Sequence, residues 1–459
     1  MASKKLNECH QIILSIFYFY YFCWLLRTSM SSTTAANGSK KGDKNEESCL
    51  WSFWFEGFAS IIKEICNKSD KRRIIHSIKV GVALVLVSLL YLVNSMFKQI
   101  GENAMWAIMT VVVMFELYAG ATLSKGINRG IGTLVGGGMG CLAAVLAAEN
   151  EGIAKPTTIA TSLFLYGTVA TYYRMVPKIK KRYDYGFMIS ILTFNLVAVS
   201  GVRAEKVVEV ARDRLAAIGM GFTLCIFVNL FAYPIWASNE LHFSTASKFN
   251  KLANSIQGCF DEYFKLGHDK ENHDKVGDGS ASIQACKIVI NSKSNDEALA
   301  NHAKWEPWHG KFGLYYPWDK YLEIGEHLRE LAATIISLKG CLQSPKQPPP
   351  LKRQILKEAC ENFLLSMVWI LKEIGESIGK MEKCQTKLSI NPKLQSMKLQ
   401  LSPPRFSSCK IEVVETDENL AISTLNFLLL EVVEKVEILA AKVEELGEIA
   451  NFRATKMDV

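Results

Sequence analysis

No catalytic signature occurs in this chain. It has no G-x-S-x-G, no H-E-x-x-H and no Gly-rich loop running into Gly-Lys-Ser/Thr, which removes serine hydrolases, zinc peptidases and P-loop enzymes. The glycines between Gly136 and Gly140 lack a strand before them and a Lys-Ser/Thr after them, so helix packing explains them. The twelve cysteines form no C-x-x-C pair and share no repeated spacing. No disulfide framework or zinc site is legible, and reduced core thiols are expected. No basic stretch is interleaved with aromatics on a water-soluble segment, so nucleic acid is not an expected partner. His268, Asp269, His273 and Asp274 sit together in 267–281, GHDKENHDKVGDGSA. They read as a solvated loop rather than a metal site. No cofactor is expected.

What is present is a division in hydropathy. Mean hydropathy over the 459 residues is +0.11, and 49% of them are hydrophobic. The apolar residues concentrate in 78–236, whereas 237–459 has a charge-rich, water-soluble composition. This predicts an all-α membrane protein with six transmembrane helices followed by a cytoplasmic helical domain. Spans are expected at 78–97, 104–119, 130–148, 157–173, 185–202 and 212–233. The net charge of +8 gathers beside them. Lys71, Arg72, Arg73, His76 and Lys79 precede the first span, and Arg174, Lys178, Lys180, Lys181 and Arg182 follow the fourth. The positive-inside rule then puts both the N-terminal cluster and the tail in the cytoplasm.

Ahead of the spans, 1–50 is an N-terminal extension. Its Lys4, Lys5 and apolar 12–26 resemble a signal peptide, but it lacks a small-x-small cleavage site. Residues 51–77 form an interfacial segment carrying Trp51, Trp54 and Phe55. Behind the spans come a helical domain over 237–384, a disordered linker over 385–416 and an amphipathic helix over 417–459. Leu425, Leu429, Val432, Val436, Leu439, Val443 and Leu446 make one stripe on that last helix, for a bundle or a helix-pairing seam.

Residues 104–148 organise the membrane part. Gly132, Gly136 and Gly140 recur at every fourth position, which opens one helix face to close backbone approach. Lys125, Asn128 and Arg129 are expected as a polar knot in the turn between two apolar runs. Arg129 opens the third span and Arg214 lies just inside the sixth. A ring of such cations offsets the dehydration of a carboxylate, which is what an anion pathway needs. Glu116 would oppose anions if bare, so it is expected to pair with Lys125 or with a basic side chain of another span. In the tail, 304–318 packs Trp305, Glu306, Pro307, Trp308, His309 and Gly310 into a short stretch. It serves either as an aromatic plug between tail helices or as an element coupling the tail to the membrane domain.

WAIMTVVVMFELYAGATLSKGINRGIGTLVGG, KKRYDYGFMISILTFNLVAVSG, RLAAIGMGFTLCIFVNLFAYPIWASNELH and WEPWHGKFG occur in that order. Together they resemble the plant aluminium-activated malate transporter family, from about Arg72 to about Cys341. The resemblance implies a dimeric anion channel, six spans per subunit, passing malate and inorganic anions. It places Arg129, Arg214 and Lys125 on the anion pathway. Glu205 and Glu209 become acids at the external mouth, and Glu306 is associated with transport. Lys98 stands where an acid would serve aluminium activation, which argues against that stimulus. The expected protein is therefore a multi-pass homodimer in a lipid bilayer, with the plasma membrane favoured over the vacuolar one. A coupled exporter of aromatic or other organic acids, or a non-conducting scaffold, are the alternatives.

Overall fold

A computed structural model describes residues 71–92, 104–150, 152–200, 207–265, 277–313, 315–344, 350–384, 389–401 and 417–453. These are mostly helical, with no strand among them. The chain divides into two compact units between Ile235 and Trp236.

The first unit holds α1 (Lys71–Leu92), α2 (Ala104–Met114), α3 (Ala119–Ala148), α4 (Ala154–Met175), α5 (Pro177–Ser200) and α6 (Val207–Phe231). Two cores hold it together. Ala83 and Val87 of α1, Ala107 and Val111 of α2, and Ala217, Cys225 and Val228 of α6 form one, with Phe115. Ala143 and Ala147 of α3, Ile159 of α4, and Phe194 and Ala198 of α5 form the other. Alanine recurs in both, and so small a side chain lets helix backbones approach closely. The Gly132/Gly136/Gly140 stripe is the tightest instance. A methyl on Gly132 would collide with the Gly186 carbonyl of α5, one on Gly136 with the Ser190 carbonyl, and one on Gly140 with Val197.

The opposite face of α3 turns Ile131, Leu134, Val135, Leu142 and Val145 outward, and α4 does the same with Phe164, Leu165 and Val169. So broad an apolar surface suits lipid or another protein, not water. Helices overlap each of the six expected stretches. Two of them, Ala119–Ala148 and the Arg182–Ser200 part of α5, are long and apolar enough to cross a membrane.

The boundaries around the polar knot need correction. Lys125, Asn128 and Arg129 are not in a turn: they lie within the continuous helix α3. The break falls earlier, at 115–118, so the second helix stops at Met114 and the third starts at Ala119 instead of residue 130. Partners from other elements stabilise this arrangement. The Glu116 N–H donates to Thr122 Oγ1 (3.0 Å), and the Ala119 N–H to the Ile235 carbonyl (3.1 Å).

The second unit contains α7 (Ala237–Lys265), α8 (Gly277–Ile290), α9 (Lys293–Ala303), α10 (Trp318–Leu342), α11 (Pro350–Lys380), α12 (Asn391–Leu401) and α13 (Asp417–Ile449). Its core is conventional: Phe249, Leu252 and Ile256 of α7, Leu328 and Leu331 of α10, and Ile370 and Ile374 of α11 are fully enclosed. All seven residues of the α13 stripe are buried as well. The disorder expected over 385–416 is corrected in part. Asn391–Leu401 is helical and buries Leu394, Met397 and Leu401. Pro392 sits at the start of that helix, where its missing N–H has no intrahelical role. The His268–Asp274 loop and the linker residues 345–349 lie outside the described residues.

Candidate functional site

The first unit buries polar groups that a packed apolar bundle does not require. Thr122, Lys125, Arg129 and Thr133 succeed one another by three or four residues along α3, which makes one polar stripe. At its first turn Lys125 forms an ion pair with Glu116, as the sequence suggested. Both side chains are a little over one-third exposed, and each offsets the other's charge.

Behind that pair lies a more enclosed group. Lys79 of α1 is 3% exposed and Asn229 of α6 is 1% exposed. Lys79 Nζ donates to Asn229 Oδ1 (2.9 Å) and approaches the Asn229 carbonyl (3.5 Å). Asn229 Nδ2 donates to the Glu116 carbonyl (3.1 Å) and to Thr122 Oγ1 (2.7 Å). Asn229 thus links α1, the 115–118 break, α3 and α6. Among the described residues, no carboxylate lies within ion-pair distance of the Lys79 ammonium.

Arg129, two turns beyond Thr122, is 5% exposed. Its Nη1 donates to Tyr185 Oη of α5 (3.0 Å), while Nε has no partner. Thr133 Oγ1, one turn on, is also buried without one. Asn128 Nδ2 donates to the Arg182 carbonyl (3.1 Å), so it secures α3 to α5.

Buried cations in the second unit are handled differently. Lys248 is paired with Asp296 (2.5 Å) and Lys339 with Glu262 (3.0 Å). Lys79 and Arg129 rest instead on an amide and a phenol. Burying an ion costs several kcal/mol unless a counter-charge offsets it. The first unit therefore keeps two positive charges that its own described side chains do not neutralise.

Of the remaining expected residues, Arg214 and Glu209 lie on α6 with side chains outside the described set, and Glu205 is outside it altogether. Lys79 and Asn229 were missed. Lys79 was grouped with the basic cluster before the first span, yet it shares its helix face with Ala83 and Val87, at intervals of four. That phase marks it as inward-facing.

In the second unit, Glu306 is 6% exposed and caps α7. Its carboxylate accepts the N–H groups of Ala237 (2.5 Å) and Ser238 (3.2 Å), the first of that helix. His309 Nε2 meets Ser238 Oγ (3.0 Å), and its ring stacks on Trp236 with centroids 3.7 Å apart. Pro307 provides a carbonyl to His309 Nδ1 (2.8 Å), and Gly310 turns the chain at φ +53°. Trp305 is half-buried, while Trp308 is exposed. Burial pushes the Glu306 carboxyl up, opposed by hydrogen bonds from Ser238 and Ala237 and by His309. Phe312, Tyr316, Trp318 and Tyr321 form the aromatic plug itself.

Glu306→Ala is expected to destabilise the second unit by about 1–2 kcal/mol, because two helix N-terminal donors lose their acceptor. Glu306→Gln keeps one acceptor oxygen and should lose less. Thermal unfolding of the purified full chain reads the order, and equal melting temperatures for all three proteins would contradict the capping role.

An all-α unit with two membrane-length helices, and with buried cations that lack a carboxylate partner among the described residues, fits a helical membrane protein. The family model for aluminium activated malate transporter matches residues 65–402. This chain belongs to that family, which is one of transporters and not of enzymes. It is 42% identical over 332 residues to aluminum-activated malate transporter 13 of Arabidopsis thaliana, covering 72% of this chain and 62% of that protein. To transporter 2 of the same plant it is 36% identical over 390 residues, covering 85% and 77%. To transporter 1 of Triticum aestivum it is 32% identical over 401 residues, covering 84% of each. The chain thus spans about three fifths of the length of the first of these relatives.

Proposed function

We propose that this protein is a passive anion channel that conducts malate, and inorganic anions beside it, through a membrane it crosses with α1 to α6. Two copies side by side form the conducting unit. The observation that carries this reading is the pair of buried cations, Lys79 and Arg129, without a carboxylate partner among the described residues. A fixed positive charge among apolar helices is expensive to keep. It becomes useful when a small dianion must shed water there and then leave, since an amide and a phenol hold the cation in place without competing for its charge. Lys125, already bound to Glu116, contributes less field than Arg129. Arg214 on α6 is assigned to the same path. Glu205 and Glu209, four residues apart in the sequence, are assigned to its outer mouth.

The relatives are named malate transporters, which supports malate as cargo. Two-electrode recording in oocytes loaded with malate tests this. Wild type should give a malate-dependent current that Arg129→Ala reduces at equal surface abundance. No current above that of uninjected cells would overturn the reading and leave a scaffold.

A further inference from the structure

Lys79 could have been anchored by a carboxylate, as Lys248 and Lys339 are in the second unit. It is anchored by an amide instead, and that amide has a single workable orientation. Both Nδ2 protons of Asn229 are engaged, by the Glu116 carbonyl (3.1 Å) and Thr122 Oγ1 (2.7 Å). Oδ1 is left to face the ammonium at 2.9 Å. A flipped amide would set two donors against a cation and a carbonyl oxygen against two oxygen atoms. The residue is 1% exposed, so water does not relieve such a mismatch. A neutral acceptor locked this way fixes the ammonium without cancelling its charge. An aspartate of the same shape would fix it and cancel it.

We propose that Asn229 is the positioning residue that keeps Lys79 both aimed and uncompensated, and that it thereby sets the preference for doubly over singly charged anions. This rests on the channel reading given above. The field of one fixed cation acts twice as strongly on a dianion as on chloride, so neutralising it lowers malate permeation more than chloride permeation and with it the malate-to-chloride permeability ratio.

The test measures surface abundance, current and reversal potential in oocytes for wild type, Lys79→Gln, Asn229→Asp and Asn229→Ala. At equal surface abundance Asn229→Asp should lower the malate-to-chloride ratio about thirtyfold, close to the effect of Lys79→Gln. Asn229→Ala keeps the charge but releases its anchor, and should lower the ratio by less. A wild-type ratio in Asn229→Asp, or equal ratios in the Asp and Ala variants, would overturn the proposal. If the Asp variant fails to reach the surface, Asn229→Ala decides alone: a lowered ratio supports the proposal and an unchanged ratio overturns it. Should Lys79→Gln alter the ratio while both Asn229 variants do not, only this inference fails. Should Lys79→Gln itself leave current and ratio unchanged, this inference fails while the channel reading stands; the channel reading fails only if wild type gives no malate current above that of uninjected cells.

Discussion

Lys79→Gln is expected to cut malate current at least as far as Arg129→Ala does, and to cut it more for malate than for chloride. The side chain is 3% exposed and has no carboxylate partner among the described residues, so little screens its charge. With an effective dielectric near 20, a unit charge about 8 Å away is worth about 2 kcal/mol to a chloride ion, or about thirty-fold in occupancy. A dicarboxylate gains about twice that energy from the same charge. Removing the charge therefore costs malate more, while Lys79→Arg should retain conduction because its positive charge persists. Currents normalised to surface protein check the prediction. A Gln variant that conducts malate like wild type would mean that this ammonium is only a packing element.

Gly136→Leu is expected to abolish folded protein at the membrane altogether. A methyl at residue 136 already collides with the Ser190 carbonyl of α5, and that atom belongs to backbone, which does not rotate away as a side chain does. Overpacking a core by a few carbons costs about 1–3 kcal/mol where side chains can yield, and here a whole helix must retreat. Gly138 on the same helix has nothing within 4 Å of the corresponding position, so Gly138→Leu serves as the matched control. Size-exclusion profiles of the detergent-extracted variants should show a sharp peak for Gly138→Leu and aggregate for Gly136→Leu. A normal profile for Gly136→Leu would deny the close α3–α5 contact that positions Arg129 against Tyr185.

Close packing on the glycine face of α3 was legible in advance, because glycine at every fourth position admits one physical use in a long apolar helix, but that the neighbour is α5 was not. The Glu116–Lys125 pair was legible for a similar reason, since an acid in such surroundings requires a cation within reach. What was misread shows where one-dimensional patterns stop. Lys125, Asn128 and Arg129 looked like a turn because clustered polar residues between apolar runs usually are one. Asn128 and Arg129 find their partners, Arg182 and Tyr185, on another helix, and no local spacing announces them. Asn229 sits in an apolar run with no polar neighbour to mark it, so its four-way linkage appears only once α1, α3 and α6 are assembled. The disorder expected over 385–416 gave way at α12, whose first turn tolerates Pro392. Glu306 stood out by composition, but its role as the acceptor for the first N–H groups of α7 depends on a chain reversal of nearly seventy residues.

The most direct test of passive conduction past fixed positive charge is the reversal potential of the malate current at several malate gradients, repeated with a proton gradient imposed. Passive flow of a dianion predicts a shift of about 30 mV per tenfold change in malate, set by RT/2F, and no displacement when external pH changes at constant malate dianion activity. A reversal potential that moves with the proton gradient under those conditions, or that ignores malate, would contradict it.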